Sequence, residues 1–397
     1  MPLNEHSRCA AQPKILLLNS SFLHFSMLHI GFDAKRVFQN YTGLGNYSRG
    51  VIGGLQAAFP QVQYTLFAPK IVQNPTTAAF AAPPYRTVSP LGNAAYWRTV
   101  GMLRDIRQQK IDIYHGLSHE LPLGIGRTQA ASVVTVHDLI FKHYPAQYGA
   151  WDRRVHDAKC RYACRVADRI LAISESTKQD IMQSYGVAEG RITVVYQSCH
   201  ARFYTPAPDT DILAKANIAA PYILYVGSLI ARKNLLGLVQ AMAILPPAYS
   251  AVRLYVVGGG QGAYSEQVRA YISANGLQTR IVFLSDVADT DLPTLYRRAA
   301  AFVYPSHYEG FGIPIIEALF SQTPVITGTQ MALREAAGEQ SLCVDVQQPA
   351  AIAEAIAQVL SDTALAKTMR QAGLAHAERF LPQGLAQQLM GLYERLL

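Results

Sequence analysis

The sequence predicts an α/β protein of two domains, each built on a parallel sheet with helices on both faces. Three observations support this fold class. The chain has 397 residues, more than one compact domain usually holds. In both halves, short runs of apolar and β-branched residues alternate with amphipathic segments. A stretch at residues 201–220, rich in Pro, Asp and Ala, lacks strand character and separates the halves as an interdomain linker.

The first predicted domain covers residues 27–200. Its strands are short apolar runs, and its helices are longer amphipathic stretches that follow turns. In chain order they are strand LHIGFDA, helix NYTGLGNYSRGVIGGLQAAF, strands VQYTLFA, IDIYHG and SVVTVHD, helix WDRRVHDAKCRYACRVA, strand DRILAIS, helix ESTKQDIMQSYG and strand ITVVYQ.

The second predicted domain covers residues 221–380 and shows the same alternation. Its elements are strand YILYVG, helix LLGLVQAMAIL, strand VRLYVVGGG, helix AYSEQVRAYISANG and strands RIVFLS, AAFVYP and TPVIT. Residues 381–397 are predicted as a C-terminal helix. Two such domains face one another across a cleft, and ligands of open α/β sheets bind at the carboxyl ends of the strands.

The first 26 residues are predicted to be an ill-ordered extension, with the folded chain beginning near Met27. The segment KILLLNSSFLHFSMLHIGFDAKR is apolar, but Asn, Ser and His residues interrupt it. It is too polar for a convincing membrane span and has no clear cleavage site for a signal peptide. A signal or membrane anchor remains the alternative.

Composition limits the partners and the compartment. Hydrophobic residues make up 50% of the chain and charged residues 16%, which argues against disorder. The net charge of +8 suits a nucleic acid, an anionic membrane or a phosphorylated small molecule. No nucleic-acid-binding signature accompanies it, so nucleic acid is the least supported partner. Five irregularly spaced cysteines indicate free thiols in a reducing, cytoplasmic compartment.

The stretch HYEGFGIPIIEALF supplies the strongest candidate site. Glu309 follows a predicted strand, and Glu317 lies inside an apolar helix, where a charge is costly to bury. The glycines between them let the backbone approach a ligand, and the start of the helix near Pro314 suits a phosphate. Carboxylates beside a phosphate suit sugar and ribose hydroxyls. A turn glutamate followed by a surface glutamate is the alternative.

Three further strand ends carry candidate residues. Arg232 and Lys233 follow YILYVG and can neutralise a diphosphate, or they are solvated loop charges. The turn Thr42–Gly45 opens a helix and is either a second anion cradle or a plain turn. His137 ends the strand SVVTV, where it donates to a developing negative charge or is a structural histidine.

These stretches resemble the retaining glycosyltransferases of the GT-B fold. Glu309 to Glu317 fits their Glu-x7-Glu motif. The segments YVGSLIARKN, VVTVHDLIF, LAISESTKQDI and FDAKRVFQNYTGLGNYSRG are similar to the corresponding stretches of family 4 glycosyltransferases, especially mannosyltransferase-like bacterial members. The resemblance runs from about Leu28 to the C-terminus and implies two Rossmann-like, doubly wound domains facing a cleft. It implies that the first domain binds the acceptor and the second binds the nucleotide-sugar. It also implies a last helix, at residues 381–397, that can cross back to the first domain.

The resemblance implies catalytic roles for four residues. Glu309 would hold hydroxyls of the donor sugar, and His137 would lie near the transferred sugar and the acceptor. Arg232 and Lys233 would grip the diphosphate and stabilise it as it leaves. Ser174 would line the cleft less directly.

The resemblance also implies a donor-binding set. The backbone of the turn after Glu309 would touch the sugar and the β-phosphate, and Glu317 would bind the ribose. The other members are Gly43 and Gly45 near the phosphates, Leu284 at the nucleobase, and the turn residues Gly310, Phe311 and Gly312.

The implied activity is the transfer of a hexose, with net retention and without a metal or other cofactor. The first candidate donor is GDP-mannose, and the second is UDP-sugar or another sugar nucleotide. The implied acceptor is a glycan or lipid-linked glycan in surface polysaccharide biosynthesis, lipopolysaccharide included. An inverting transferase or an epimerase of the same architecture is the alternative, and a basic nucleic-acid-binding protein is a distant one.

One helix adds a membrane hypothesis. On WDRRVHDAKCRYACRVADR, four arginines recur at helical spacing on one face: Arg154, Arg161, Arg165 and Arg169. They predict peripheral contact with anionic lipid at the cytoplasmic membrane surface. An ordinary solvated basic face is the alternative. On the same helix, Cys160 and Cys164 share a face with His156, but no second ligand pair is visible, so no metal site is predicted there.

Overall fold

The protein contains two sheets whose strands all run parallel. A computed structural model describes residues 28–397, and the extension predicted at residues 1–26 lies outside the described residues. The first sheet consists of β1 (His29–Asp33), β2 (Gln63–Phe67), β3 (Arg86–Val88), β4 (Ile113–Gly116), β5 (Ala131–Val136), β6 (Arg169–Ala172) and β7 (Ile192–Val194). The second consists of β8 (Tyr222–Val226), β9 (Arg253–Val257), β10 (Ile281–Leu284), β11 (Ala301–Tyr304), β12 (Val325–Gly328) and β13 (Leu342–Val344).

The order of the strands creates one crevice in each sheet. The first sheet runs β3-β2-β1-β4-β5-β6-β7, and the second runs β10-β9-β8-β11-β12-β13. The chain therefore reverses its winding direction between β1 and β4, and again between β8 and β11. Loops diverge at such a switch point, so the carboxyl ends of β8 and β11 border a crevice.

Helices cover the sheets and connect their strands. Those of the first half are α1 (Lys35–Gln39), α2 (Gly43–Ala58), α3 (Ala94–Tyr96), α4 (Met102–Gln108), α5 (Ile140–His143), α6 (Ala150–Val166) and α7 (Glu175–Tyr185). A π-helical turn, Trp97–Gly101, joins α3 to α4. The remaining helices are α8 (Ile212–Lys215), α9 (Leu235–Ala243), α10 (Ala263–Ala274), α11 (Leu292–Arg298), α12 (Ile313–Phe320), α13 (Met331–Ala337), α14 (Pro349–Ser361), α15 (Thr363–Ala377) and α16 (Pro382–Glu394).

Short 3-10 turns complete the secondary structure. They lie at Ala78–Ala81, Ile125–Arg127, Pro145–Gln147, Glu189–Arg191, Ala201–Phe203, Ala231–Lys233, Pro247–Tyr249 and Glu378–Phe380. The segment at residues 201–220 holds one such turn and α8, and it contains no strand.

The apolar runs of the sequence become buried strands because helices pack on both faces of each sheet. Four of the five residues of β8 are buried, and β11 is buried along its whole length. A continuously apolar strand is typical of a parallel sheet covered on both sides. The strand patterns of the sequence therefore predicted the central strands well.

The last helix lies on the first domain. Residues of α16, among them Leu385, Leu389 and Tyr393, join the apolar core of the first sheet, and α16 packs against α2. Phe380, in the stretch RFLPQG just before α16, is buried against Phe311 of the second domain. The chain thus crosses back after the second sheet is complete.

Several elements differ from the sequence prediction. The strands β3 and β13 have only three residues each and were not predicted, nor was the helical segment from α3 to α4. Arg169 was predicted on the basic helix face, which is wrong, because α6 ends at Val166 and Arg169 begins β6.

No helix within residues 28–397 is long and apolar enough to cross a membrane.

Candidate active site

A buried ion-pair cluster occupies the crevice between β8 and β11. Arg232 and Lys233 follow β8, and Glu309 follows β11, so adjacent strands bring the three side chains together. Nη1 of Arg232 lies 2.7 Å from Oε2 of Glu309, and Nζ of Lys233 lies 3.5 Å from Oε1. The exposed fraction of these side chains is 9% for Arg232 and 12% for Glu309. The crevice thus holds two cations and one carboxylate.

Two hydroxyls complete the surroundings of Glu309. Tyr304 and Ser306 donate hydrogen bonds to its Oε1 over 3.0 and 2.9 Å. Burial opposes the charge of Glu309, but Lys233, Arg232 and the hydrogen bond from Ser306 outweigh it, and its pKa lies below the ordinary value. The carboxylate is therefore ionised and fixed in place at neutral pH.

Arg232 retains an unused donor. Its Nη1 also donates to the carbonyl of Tyr308, whereas its Nε is buried without a hydrogen-bond partner among residues 28–397. Leaving a buried donor unpaired costs about 1–3 kcal/mol. Such a group is suited to receive an anionic ligand.

The turn after Glu309 is shaped by a neighbouring helix start and by the first domain. Gly312 has φ of +135° at the N-cap of α12, a conformation that strongly favours glycine. Pro314 occupies the first turn of α12, as the sequence predicted. The Phe311 ring is buried, stacked on Tyr196 with centroids 5.5 Å apart, so only its backbone can face a ligand.

Gly310 is one of the points where the two domains touch. A Cβ at this position would lie 2.1 Å from the carbonyl oxygen of His137. The Gly310 carbonyl accepts hydrogen bonds from the hydroxyls of Ser174 at 2.6 Å and Thr177 at 3.3 Å. Glycine is thus required by close packing, and Ser174 contacts the turn directly.

His137 is placed at the interface, but its ring is engaged internally. Nε2 donates to the carbonyl of Leu117 over 2.8 Å, and Nδ1 accepts from the amide of Gln197 over 3.1 Å. Burial, followed by the nearby His119, lowers the pKa of His137 to about 3, so the ring is neutral. A direct contact with the sugar requires one of these bonds to break, and its predicted role stays a prediction.

The glycines at the start of α2 have different surroundings. The amide of Gly45 donates to Oδ1 of Asn40 over 2.9 Å, and a Cβ there would lie 1.8 Å from the Asn40 carbonyl. Gly43 is exposed, and a Cβ there would meet nothing within 4 Å. Gly45 is therefore explained by the turn itself, whereas Gly43 stays available to a ligand.

Glu317 lies on α12, outside the ion-pair cluster formed by Arg232, Lys233 and Glu309. Its Oε2 accepts a hydrogen bond from the Tyr296 hydroxyl over 3.0 Å. Burial raises the pKa of Glu317 to about 7, and this hydrogen bond only partly opposes the shift. The two carboxylates of the motif thus have shifted pKa values of opposite direction, because Glu309 contacts two cations and Glu317 contacts none among residues 28–397.

Leu284 ends β10 at the same carboxyl edge, two strands beyond β8. It is half-buried and pairs in register with Val257. A ligand lying from Glu309 to Leu284 would cross the ends of β11, β8, β9 and β10. The predicted donor-binding residues of the second domain other than Glu317, which lies within α12, therefore line one edge of one sheet.

Several residues of the site were not predicted from the sequence. Glu335, on α13, accepts hydrogen bonds from the amides of Glu175 and Ser176 at 2.7 and 3.0 Å, and so caps the start of α7 in the other domain. The Tyr308 hydroxyl donates to Asp180 on α7. These contacts link the domains, and no local sequence pattern marks them.

Within residues 28–397, no group of three or more His, Cys, Asp or Glu side chains is arranged to hold a metal ion. Cys160, Cys164, Cys199 and Cys343 are free thiols. The ring of His156 instead packs against Phe141 and His119.

Two family models match most of the chain. The model described as Glycosyltransferase Family 4 matches residues 41–199, and the model described as Glycosyl transferases group 1 matches residues 211–376. O-antigen chain mannosyltransferase B of Escherichia coli is 31% identical over 295 residues, which cover 73% of this chain and 76% of that protein.

Other relatives match over shorter stretches. O-antigen chain mannosyltransferase RfbU of Salmonella typhimurium is 27% identical, covering 58% of this chain and 60% of that protein. D-inositol 3-phosphate glycosyltransferase of Corynebacterium urealyticum is 30% identical, covering 58% of this chain and 57% of that protein. The chain thus spans less than two thirds of these two relatives.

Solved structures share the fold. A sucrose-phosphate synthase from Thermosynechococcus elongatus superposes with a TM-score of 0.72 at 23% identity, covering 93% of this chain and 99% of that one. A glycosyltransferase from Rickettsia africae gives a TM-score of 0.72 at 17% identity, covering 93% and 98%. The predicted fold and family are confirmed, and the chain belongs to the group 1 and family 4 glycosyltransferases of the GT-B fold.

Proposed function

We propose that this glycosyltransferase moves a hexose from a nucleotide-diphosphate sugar to a glycan or lipid-linked acceptor during surface polysaccharide biosynthesis, lipopolysaccharide included. Mannose is the first candidate sugar, because two relatives carry the name O-antigen chain mannosyltransferase. GDP-mannose is accordingly the first candidate donor, and a UDP-sugar is the second.

The observation that carries this proposal is the pair of cations in the crevice. Arg232 offers a buried Nε without a partner among the described residues, and Lys233 lies beside it. A diphosphate supplies the anionic oxygens that both require. The adjacent start of α12 adds the positive end of a helix dipole.

The geometry supports a mechanism in which Arg232 and Lys233 assist the departure of the diphosphate. The bond between C1 of the sugar and the β-phosphate oxygen breaks, and its electron pair stays on that oxygen. Arg232 and Lys233 stabilise the growing negative charge without reorganising, which is the usual source of a large rate enhancement. In this mechanism the residues of the chain supply the stabilisation, and no metal is required.

The way in which Glu309 is held supports retention. An inverting enzyme needs a base on the acceptor hydroxyl, and a double displacement needs a carboxylate nucleophile. Glu309 is occupied by two cations and two hydroxyls, which favours ring-hydroxyl binding over attack on C1. The acceptor oxygen then bonds to C1 from the side that the diphosphate leaves, and its proton passes to the departing phosphate oxygen.

A thermal-shift screen tests the donor class. GDP, UDP and ADP, with their sugars, are added to the intact protein and to Lys233→Gln, which removes one cation. At 100 times its dissociation constant, a true ligand adds roughly 2.7 kcal/mol to the free energy of unfolding. We expect the largest shift with GDP compounds and a smaller shift in Lys233→Gln. If no nucleotide shifts the melting temperature, the proposal is wrong.

The anomeric linkage of the first-formed product tests the stereochemistry of the transfer. With an α-linked donor, NMR of the anomeric proton in the first-formed product should show an α-linkage, and EDTA should leave the rate unchanged. A β-linked product overturns the retaining mechanism. Activity that EDTA abolishes and Mg²⁺ or Mn²⁺ restores overturns the metal-free one.

A further inference from the structure

A cavity of about 640 Å³ lies beside the Glu309 turn, on the side of β11 away from Leu284. Its walls are the loops that follow β11, β12 and β13, the first turns of α9, and Tyr144 of the first domain. The volume falls within the roughly 300–1,000 Å³ of sites that bind small molecules. The predicted donor path runs from β11 toward β10, so a nucleotide would not fill this cavity.

The lining is polar and lacks a cation. Amide, hydroxyl and imidazole groups line the cavity, with Asp345 as the one carboxylate and no Lys or Arg among the lining residues. A phosphate would meet no positive charge there and would be repelled by Asp345. A neutral ligand rich in hydroxyls matches this lining, because each hydroxyl both donates and accepts hydrogen bonds.

Four side chains of the lining are free to bind. Within residues 28–397, those of Gln240, His307, Thr329 and Gln347 have no hydrogen-bond partner, although all four border the same cavity. The Tyr144 ring adds a flat apolar wall, which suits the C–H face of a sugar ring. The cavity therefore presents both kinds of surface that a pyranose requires.

The cavity is connected to the reaction centre by two hydrogen bonds. Ser306 lines it and donates to Oε1 of Glu309 over 2.9 Å. Gln330 also lines it and donates to the Glu309 carbonyl over 3.3 Å. Only the side chain of Ser306 would separate a sugar in the cavity from the Glu309 carboxylate, which is predicted to hold the donor sugar.

We propose that this cavity is a glycan subsite, which binds a neutral sugar unit of the acceptor next to the unit that receives the new hexose. The inference rests on the proposed function and deepens it. Gln240, His307 and Gln347 bind hydroxyls of that unit, and Tyr144 packs against its ring. The acceptor is accordingly an oligosaccharide longer than one sugar.

The test compares acceptors of different length. Mannobiose and mannotetraose are offered to the full-length enzyme with GDP-mannose as the donor. The KM for each acceptor is measured in the wild type, Gln240→Ala and His307→Ala. The matched control is Gln358→Ala, an exposed glutamine on α14. Hydrolysis of the donor without acceptor is measured in parallel.

We expect the wild type to prefer mannotetraose, and each cavity variant to raise its KM on the order of tenfold. Donor KM and donor hydrolysis should stay within about twofold, and Gln358→Ala should behave as wild type. Saturation-transfer NMR with mannotetraose and GDP should show binding that the two variants weaken. Equal preference for both acceptors, or unchanged KM in both variants, overturns the subsite while leaving the transferase function intact. Absence of nucleotide binding and donor hydrolysis overturns the proposed function itself.

Discussion

At Glu309 a carboxylate has to stay ionised although it is buried. Arg232 and Lys233 hold it so, and its charge in turn compensates theirs. A bound diphosphate would compete with Glu309 for the same cations. We infer that Glu309 is partly released when the donor enters, which frees it to accept hydrogen bonds from sugar hydroxyls.

This competition leads to a prediction for Glu309→Gln. Turnover should fall on the order of 100-fold, because the amide accepts hydroxyls less strongly than the carboxylate. Affinity for GDP, measured by calorimetry, should be equal or higher, because the competing negative charge is gone. The control is Glu339→Gln, an exposed glutamate of the same domain. Weaker GDP binding, or near-normal turnover in the folded variant, would contradict the assigned role.

Glu317 leads to a prediction of pH dependence. Its pKa is raised to about 7 by burial, so its carboxyl is mostly protonated below pH 7 and mostly ionised above it. If the carboxylate binds the ribose hydroxyls, nucleotide affinity should increase as the pH rises through 7, by at most about tenfold per pH unit. Calorimetry with GDP between pH 6 and pH 8.5 measures this dependence.

The same group affects stability in the opposite direction. The pKa of Glu317 is higher in the folded than in the unfolded chain, so its contribution to stability is complete below about pH 4.5 and is lost as the pH rises through 7. Glu317→Gln should therefore flatten both the affinity profile and this part of the stability profile. A pH dependence of GDP binding identical in wild type and Glu317→Gln would remove Glu317 from the nucleotide site.

At the scale of elements, strand ends carried most of the predictive information. Arg232, Lys233 and Glu309 were predicted from their positions after apolar runs, and the parallel order places those strand ends side by side. The partners Tyr304 and Ser306 were not predicted, because an apolar strand and a single serine give no local signal of where their hydroxyls point. β3 and β13 were missed because each has three residues and no longer apolar run around it, whereas the equally short β7 lies within the run ITVVYQ.

Contacts between elements that are distant in the chain could also not be predicted from the sequence. Gly310 is glycine because the carbonyl of His137, more than 170 residues earlier in the chain, approaches it. The ring nitrogens of His137 are occupied by Leu117 and Gln197, and no spacing rule connects these three residues. Tertiary packing therefore decides which of the predicted site residues keep a free polar group.

The membrane hypothesis now concerns three arginines on helix α6, because Arg169 lies on β6. Arg154, Arg161 and Arg165 are exposed, and Trp151 at the start of the helix is 74% exposed. We propose that this face contacts anionic lipid, where each cation contributes up to about 1 kcal/mol. The double variant Arg154→Gln with Arg165→Gln should bind anionic vesicles on the order of 10-fold or more weakly in sedimentation at low salt.

The control for this experiment is Lys367→Gln, an exposed cation on α15 of the other domain, which should leave vesicle binding unchanged. Wild-type protein that binds neutral and anionic vesicles equally would exclude electrostatic docking, and the arginines would then form an ordinary solvated face.

At the scale of the whole molecule, the two domains are joined by the chain and by specific contacts across the cleft. Glu335 caps α7, and Gly310 accepts from Ser174 and Thr177. All of these contacts border the Glu309 turn or the helix that follows β12. The structure thus places the edge of the second domain that is predicted to bind the donor directly against the first domain, which is predicted to bind the acceptor.

The returning helix α16 makes the stability of the first domain depend on the last residues of the chain. The Tyr393 hydroxyl lies 2.7 Å from Nδ1 of His115, and Nε2 of His115 lies 2.8 Å from Oγ1 of Thr135 on β5. His115 and Tyr393 are fully buried, and burial lowers the pKa of His115 to about 3, so the ring stays neutral. Among residues 28–397, Tyr393 is the only hydrogen-bond partner of that Nδ1.

Tyr393→Phe keeps the shape of the side chain and removes only its hydroxyl, so Nδ1 of His115 is left buried without a partner. We expect the free energy of unfolding to fall by about 1–3 kcal/mol, the usual cost of an unsatisfied buried polar group. Chemical denaturation measures the change. Tyr204→Phe is the matched control, because the Tyr204 hydroxyl makes no hydrogen bond within the described residues. Equal stability losses in the two variants would show that the hydrogen bond from α16 to β4 contributes nothing, and that apolar packing alone attaches the helix to the first domain.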